Sequence, residues 1–246
     1  MLLFLKGLIL RIIGRTPLPS KVIDSTGIER NAQNLSFSQC GEDVICKHLF
    51  LGLGIEQVNY LDLGAYHPMR ISNTYLFYQA GSRGVNVEPN PDAYADFLKY
   101  RPEDINLNVG VGTSEGTFDY YTFEAPTLNT FSKKEAQDYA QQGYPILSKK
   151  NLQVVDLNSI LAEHFTERPL DLLSMDVEGL DFDLLSVMEL EKYKAKVICV
   201  EAVQFSRDGR GEKDTQIKKL LESRGYLLYA DTGINYIFVR REFWDK

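Results

Sequence analysis

The sequence has few cysteines, no excess of basic residues and no long uninterrupted apolar run. Its 246 residues include three cysteines, Cys40, Cys46 and Cys199. Their spacing matches no metal-binding motif, and an odd number disfavours a secreted disulfide framework. The formal net charge of -7 disfavours a nucleic-acid-binding surface. We therefore expect a protein of the reducing cytoplasm that does not bind nucleic acid.

The first predicted turn lacks the glycines of a dinucleotide-binding fingerprint. The apolar strand around Tyr60 stops at Gly64, and no second or third glycine follows in the turn. Pyrophosphate binding needs close backbone approach and a helix N-terminus. S-adenosylmethionine has a sulfonium cation and no phosphate, so it suits this turn better. An NAD-linked sugar oxidoreductase or epimerase is the alternative, although no tyrosine has the lysine four residues later that such enzymes use.

Three predicted strands end in acidic residues. Glu88 follows the second strand, and Asp176 with Glu178 follows the apolar run from Leu170 to Met175. Glu201 ends the strand after that. In doubly wound sheets ligands bind at the carboxyl ends of the strands, and an acid in the position of Glu88 accepts hydrogen bonds from ribose hydroxyls.

Other residues near these strand ends are candidate cofactor contacts. Gly64 forms the first turn, and Asp62 beside it is placed to face the cationic end of the ligand. Asn108 is placed to meet an adenine edge, with a turn role as its alternative. Gln39 precedes a predicted helix, and Asp43 lies at its start. Because this helix could lie over the pocket, both side chains could reach a ligand; helix capping is the alternative.

The order of elements predicts one α/β domain over residues 34–246. Helices and parallel strands alternate, a third strand is predicted at 105–111, and the closing pair at 226–229 and 236–239 reads as a hairpin. This predicts a mostly parallel sheet with an antiparallel last strand and helices on both faces, and the resemblance described below implies that the sheet has seven strands. The polar segment 125–150 is predicted as a substrate-covering lid, or alternatively as a solvated helix and loop.

The N-terminal segment, residues 1–33, differs from the remainder. Residues 1–21 carry four basic and no acidic side chains among apolar ones, which leaves -11 for the rest of the chain. Charges interrupt the apolar run, so it is too short to span a bilayer. A basic amphipathic helix on the inner face of a membrane fits this pattern. Packing on the domain or on a second subunit is the alternative, and a homodimer is plausible.

The chain resembles the FkbM-type family of S-adenosylmethionine-dependent methyltransferases over about residues 35–240. The resemblance implies a class I methyltransferase fold and O-methylation, usually of a sugar hydroxyl in a polysaccharide, glycolipid or secondary metabolite. It rests on Ser38-Gln39-x-Gly41-Glu42-Asp43, on Asp62-Leu63-Gly64-Ala65 with His67-Pro68 and Ser72-Asn73-Thr74, on Gly84-Val85-Asn86-Val87-Glu88-Pro89-Asn90-Pro91, and on Asp176-Val177-Glu178-Gly179.

Methyl transfer to a hydroxyl requires alignment of the oxygen and removal of its proton. One mechanism uses Asp176, Glu178 or His67 as the general base. Another places Mg²⁺ on Asp176, Glu178 and Glu201, because hard oxygen ligands suit that ion. A membrane-associated binding protein that keeps the fold without catalysis is a further alternative.

Overall fold

The computed structural model describes residues 34–203 and 211–245. The N-terminal segment 1–33, with the predicted membrane-binding helix at 1–21, lies outside the described residues. The boundary at residue 34 therefore stays a prediction. None of the helices in the described ranges combines the length and apolar character needed to cross a bilayer.

A seven-stranded sheet forms the centre of the domain, in the order β3-β2-β1-β7-β8-β10-β9. Strand β10 is antiparallel to both of its neighbours, and the other adjacent pairs are parallel. The predicted class I methyltransferase fold is confirmed. The strands are β1 (Asn59–Leu63), β2 (Arg83–Val87), β3 (Ile105–Leu107), β7 (Leu172–Met175), β8 (Val197–Glu201), β9 (Tyr226–Asp231) and β10 (Asn235–Arg240).

Helices cover both faces of this sheet because its central strands are apolar on both faces. In β8, Ile198 and Val200 face one core, whereas Val197 and Cys199 face the other. The helices are α1 (Glu42–Gly52), α2 (Tyr75–Gln79), α3 (Pro91–Tyr100), α4 (Lys133–Gln141), α5 (Leu157–Phe165), α6 (Asp181–Val187), α7 (Leu190–Tyr193), α8 (Thr215–Ser223) and α9 (Arg241–Trp244).

The third predicted strand is divided between two sheets. Strand β3 ends at Leu107, and the next strand, β4 (Gly110–Gly112), pairs with β6 (Ser148–Asp156) in a separate three-stranded sheet. The prediction of one strand over 105–111 was wrong. Asn108 lies between the two strands and donates hydrogen bonds to two backbone carbonyls after β2, at 2.9 and 3.1 Å. The chain therefore leaves the large sheet at this residue.

The second sheet carries the inserted segment, which we define as residues 123–147. It joins β5 (Gly116–Thr122) to its antiparallel partner β6 and contains α4 and a 3-10 turn (Pro126–Leu128). A small apolar core lies within and beneath it, formed by Tyr121, Phe123, Leu128, Ala136 and Tyr139. The segment is therefore an ordered cover on the second sheet. The helix in it was anticipated only by the alternative prediction, that of a solvated helix and loop.

Candidate active site

A cavity of about 340 Å³ opens at the carboxyl ends of the parallel strands. The turns after β1, β2 and β7 and the end of β8 form one side, and the inserted segment forms the other. The lining includes Gln39, Gly64, Tyr66, Glu88, Asn90, Gly110, Val111, Tyr120, Asn129, Phe131, Asp176, Glu178, Leu180 and Glu201. Of the predicted site residues, the structure therefore brings Gln39, Gly64, Glu88, Asp176, Glu178 and Glu201 together.

Gly64 allows the ends of β1 and β7 to touch. Its φ is 72°, and a Cβ atom added there would lie 1.9 Å from the carbonyl oxygen of Asp176. Any side chain would separate the two strand ends and move Asp176. The structure thus supplies a packing reason for the glycine in addition to its predicted place beside the cofactor.

Glu88 is held rigidly at the end of β2. It is 6% exposed, and its two carboxyl oxygens accept backbone hydrogen bonds from Tyr66 at 2.8 Å and Asn90 at 2.7 Å. Burial raises the pKa of Glu88 to about 7, although these two hydrogen bonds oppose the shift. Each oxygen keeps a lone pair for a further donor, such as a ribose hydroxyl.

Two predicted cofactor contacts have partners elsewhere. The buried Asp62 carboxyl accepts a hydrogen bond from Thr74 Oγ1 at 2.6 Å and is absent from the cavity lining. Asn108 is exposed, and its amide donates to the carbonyls of Glu88 and Pro89. The structure favours the turn role for Asn108. Both residues lie outside the cavity lining and stabilise the strands and turns around it.

Asp43 closes the loop before α1. Its carboxyl oxygens accept hydrogen bonds from the hydroxyls of Ser36 and Ser38 and from the backbone N–H groups of Phe37 and Val44. Four donors leave it little capacity for a ligand, and it does not line the cavity. Asp43 therefore stabilises the loop before α1 from within the first turn of the helix, whereas Gln39 reaches the cavity.

His67 lies in the turn after β1 and outside the cavity lining. Its Nδ1 atom accepts hydrogen bonds from the backbone N–H groups of Met69 and Arg70, at 3.0 and 3.1 Å. Burial, followed by the nearby Arg70 charge, lowers the pKa of His67. The structure therefore makes His67 a turn residue and does not place it where a general base would act.

Four carboxyl groups gather where β7 and β8 end, and we name them the strand-end cluster: Asp176, Glu178, Asp181 and Glu201. Burial, then the charge of Asp62, raises the pKa of Asp176 to about 6. Burial, then the charge of Asp176, raises the pKa of Asp181 to about 7. The same two causes also raise the pKa values of Glu178 and Glu201.

Asp176 has a buried acceptor without a partner in the described ranges. Its Oδ1 atom is inaccessible to solvent and has no hydrogen-bond partner among the described residues. Its carboxyl group is in hydrogen-bond contact with Glu201. Unsatisfied buried oxygens are rare in proteins, so this atom is a candidate to meet a ligand hydroxyl.

Sequence reasoning missed the residues of the inserted segment that hold Glu178. Tyr139 donates its hydroxyl hydrogen to Glu178 Oε2, and Thr130 Oγ1 donates to the Glu178 carbonyl at 2.8 Å. Tyr139 lies 39 residues from Glu178 in a segment without clear periodicity, so the sequence contained little signal for this contact. The lid prediction did identify the region.

The strand-end cluster does not form a recognisable metal site. Within the described residues, no group of three or more histidine, cysteine, aspartate or glutamate side chains is arranged to hold a metal ion. The Tyr139 hydrogen bond occupies one Glu178 oxygen. Magnesium on Asp176, Glu178 and Glu201 stays a prediction, which this geometry does not favour.

Comparison with known proteins identifies a family for most of this domain. Residues 62–228 match the family model described as the methyltransferase FkbM domain. A crystal structure of methyltransferase FkbM from Methylobacillus flagellatus KT aligns with a TM-score of 0.43 and 11% identity, over 75% of this chain and 44% of that one. The present chain thus spans less than half of that protein.

A second solved structure, a DUF574 family protein from Streptomyces avermitilis MA-4680, aligns with a TM-score of 0.38 and 13% identity. The alignment covers 81% of this chain and 80% of that one. No protein with a curated description matches the chain significantly in sequence.

Proposed function

The chain belongs to the FkbM methyltransferase family, and we propose that it transfers a methyl group from S-adenosylmethionine to a hydroxyl of a sugar-containing acceptor. The observation that carries the cofactor assignment is the charge of the cavity. Among the described residues its lining has four carboxyl groups, those of Glu88, Asp176, Glu178 and Glu201, and no lysine or arginine. A sulfonium cation suits such a lining because its charge favours the ionised form of these carboxyls, whereas the pyrophosphate of NAD finds no cation there.

The cavity also fits the other parts of this cofactor. Its volume of about 340 Å³ is within the range of small-ligand sites. Glu88 stands at the ribose position, with remaining acceptor capacity on both oxygens. When bound, the cofactor supplies the electrophilic methyl group; the protein must align the acceptor and receive its proton.

We assign proton removal to Asp176. Its pKa of about 6 leaves it ionised at neutral pH, and its Oδ1 atom has no hydrogen-bond partner in the part of the chain that the structure describes. A base with a pKa near the working pH contributes about 10²–10⁴-fold to the rate of such a reaction. Burial and the charge of Asp176 raise the pKa values of Glu178 and Glu201 as well. Asp176 is the acid of this trio that has a buried oxygen without a partner among the described residues, so we take it as the general base.

The test is calorimetric titration with S-adenosylhomocysteine, the product that retains the adenosine and amino-acid parts. We expect binding by the wild type and a loss of about 10–100-fold in affinity for Glu88→Ala, since a hydrogen bond to a charged group contributes roughly 1.5–3 kcal/mol. Affinity should fall as the pH drops below about 7, where Glu88 becomes protonated.

Glu103→Ala is the matched control, because Glu103 is an exposed acid that pairs with Arg83. It should bind like the wild type. A folded wild type that binds NAD and not S-adenosylhomocysteine would overturn the proposal in favour of the oxidoreductase alternative. Binding to neither would favour a non-catalytic protein.

The acceptor, the location and the assembly remain proposals. The proposal that the acceptor is a sugar hydroxyl rests on the family resemblance. Three further proposals rest on the sequence pattern. They are contact of residues 1–21 with the inner face of a membrane, a cytoplasmic location and a homodimer.

A further inference from the structure

We propose that Tyr139 is a positioning residue for methyl transfer, which holds the Glu178 carboxyl in the cavity wall and so makes the inserted segment part of the active site. This inference rests on the proposed function. It starts from the unusual backbone of Glu178, which lies outside any helix or strand.

Glu178 requires external support because its backbone is left-handed. Its φ is 50°, and Gly179 follows with a φ of 92°. A non-glycine residue in this region is strained, so surrounding contacts must hold it. Thr130 binds its carbonyl oxygen and Tyr139 binds its carboxyl group. Both donors come from the inserted segment.

Tyr139 is itself fixed by packing. Its side chain is 2% exposed in the small core of the inserted segment, and its ring meets Phe123 edge to face at 5.6 Å. Helix α4 also sits directly on the Glu178 turn, since a Cβ atom on Gly179 would lie 2.5 Å from Glu135 Cγ. The position of the Glu178 carboxyl therefore depends on how α4 packs.

The surroundings of Glu178 are acidic on every side. Asp176 and Asp181 approach from the sheet side, Glu135 from α4 and Glu201 from β8. A second cavity of about 210 Å³ adjoins this turn and adds Asp214 and Lys134 to its lining. Lys134 is 78% exposed and paired with Glu135 at 3.7 Å. The Tyr139 hydroxyl is thus a neutral donor that stabilises the charged carboxylate where no close cation does so among the described residues.

The experiment measures the affinity for S-adenosylhomocysteine over the whole pH range in which the wild type and Tyr139→Phe stay folded. Loss of the donor destabilises the charged form of Glu178, so we expect its inflection to move upward by about 1 pH unit. The affinities of Tyr139→Phe at the acidic and basic ends of the profile should equal those of the wild type. In a Glu178→Gln background the tyrosine substitution should have no further effect on the profile.

Two further variants separate positioning from general packing. Tyr193→Phe removes a buried hydroxyl that has no hydrogen-bond partner, so its profile should match the wild type. Thr130→Val removes the bond to the Glu178 carbonyl and leaves the carboxyl bond, so it should increase hydrogen exchange in the turn without moving the inflection. If Tyr139→Phe does not fold, Thr130→Val still tests the proposal, because a shifted inflection in that variant would overturn it.

The outcomes distinguish this proposal from the one it rests on. Absence of binding by the folded wild type would reject the proposed function. Binding with identical pH profiles in wild type and Tyr139→Phe would reject only the role of Tyr139.

Discussion

Two groups of buried acids lie on neighbouring strands of one sheet, and they differ in whether a cation accompanies them. The first, which we name the paired network, comprises Tyr60, Asp62, Thr74, Arg101 and Asp104 beside β1 and β2. The second is the strand-end cluster after β7 and β8. The paired network contains a fully buried arginine, whereas the strand-end cluster has no arginine or lysine in its described hydrogen bonds.

Hydrogen bonds satisfy the paired network almost completely. Arg101 and Asp104 form an ion pair at 2.8 Å with both side chains 0% exposed. Arg101 also donates to Tyr60 and Thr74, and Thr74 donates in turn to Asp62. These bonds join the C-terminal end of α3 to β1 and to the start of α2. Buried charges of this kind stabilise the fold only while every partner is present.

The strand-end cluster differs from the paired network because no arginine or lysine takes part in its described hydrogen bonds. Its members raise one another's pKa values through burial and mutual repulsion. An arrangement that costs stability in the free protein and lies in a cavity is typical of a binding or catalytic site. The comparison teaches that buried acids in one sheet can be structural or functional according to whether a cation accompanies them.

The largest expected effect comes from breaking the paired network. Arg101→Met leaves Asp104 buried without its charge partner and should lower the free energy of unfolding by about 3–5 kcal/mol. Urea denaturation at pH 7 measures this change. Arg83→Met is the control, because the Arg83–Glu103 pair is partly exposed and such pairs contribute only about 0–1 kcal/mol. Equal effects of the two substitutions would remove the distinction between the regions.

A smaller effect is expected from neutralising the strand-end cluster. The folded-state pKa of Asp181 is about 7 and that of Asp176 about 6, both above the usual 3.8. The folded protein therefore binds more protons than the unfolded chain between about pH 4 and pH 7, so stability should fall as pH rises through this window.

Asp181→Asn should reduce this dependence and raise the free energy of unfolding at pH 8 by about 2 kcal/mol. Asp183→Asn is the matched control, since Asp183 is exposed in the same first turn of α6. Urea denaturation at pH 5 and pH 8 provides the measurement. An equal change in stability between pH 5 and pH 8 in the wild type and in Asp181→Asn would show that Asp181 ionises without penalty.

The smallest effect concerns Asn108 and sharpens the boundary of the site. Asn108→Ala removes two hydrogen bonds to the turn after Glu88 and should cost about 1 kcal/mol of folding stability. Because the side chain is outside the cavity, affinity for S-adenosylhomocysteine should change less than threefold. A larger loss of affinity would restore the adenine contact predicted from the sequence.

Much of the fold was predictable because its signals are local. Apolar runs that end in acids identified β2, β7 and β8, and the final pair of strands identified the antiparallel β10. The third strand was predicted too long because Val109, Gly110 and Val111 continue its apolar pattern. The pattern could not show that Gly110 and Val111 pair with β6, more than 40 residues later in the chain.

The sequence by itself determined the sheet, the family and the positions of Glu88 and Asp176 at strand ends, because periodicity and short motifs are properties of neighbouring residues. Only the tertiary structure decided that Asp62 belongs to the paired network, that His67 binds its own turn and that Tyr139 holds Glu178. These roles depend on hydrogen bonds between residues that packing brings together, such as Thr74 with Arg101 and Glu178 with Tyr139. The physical reason is that a carboxyl group's role follows from the donors and charges around it, which the chain assembles only on folding.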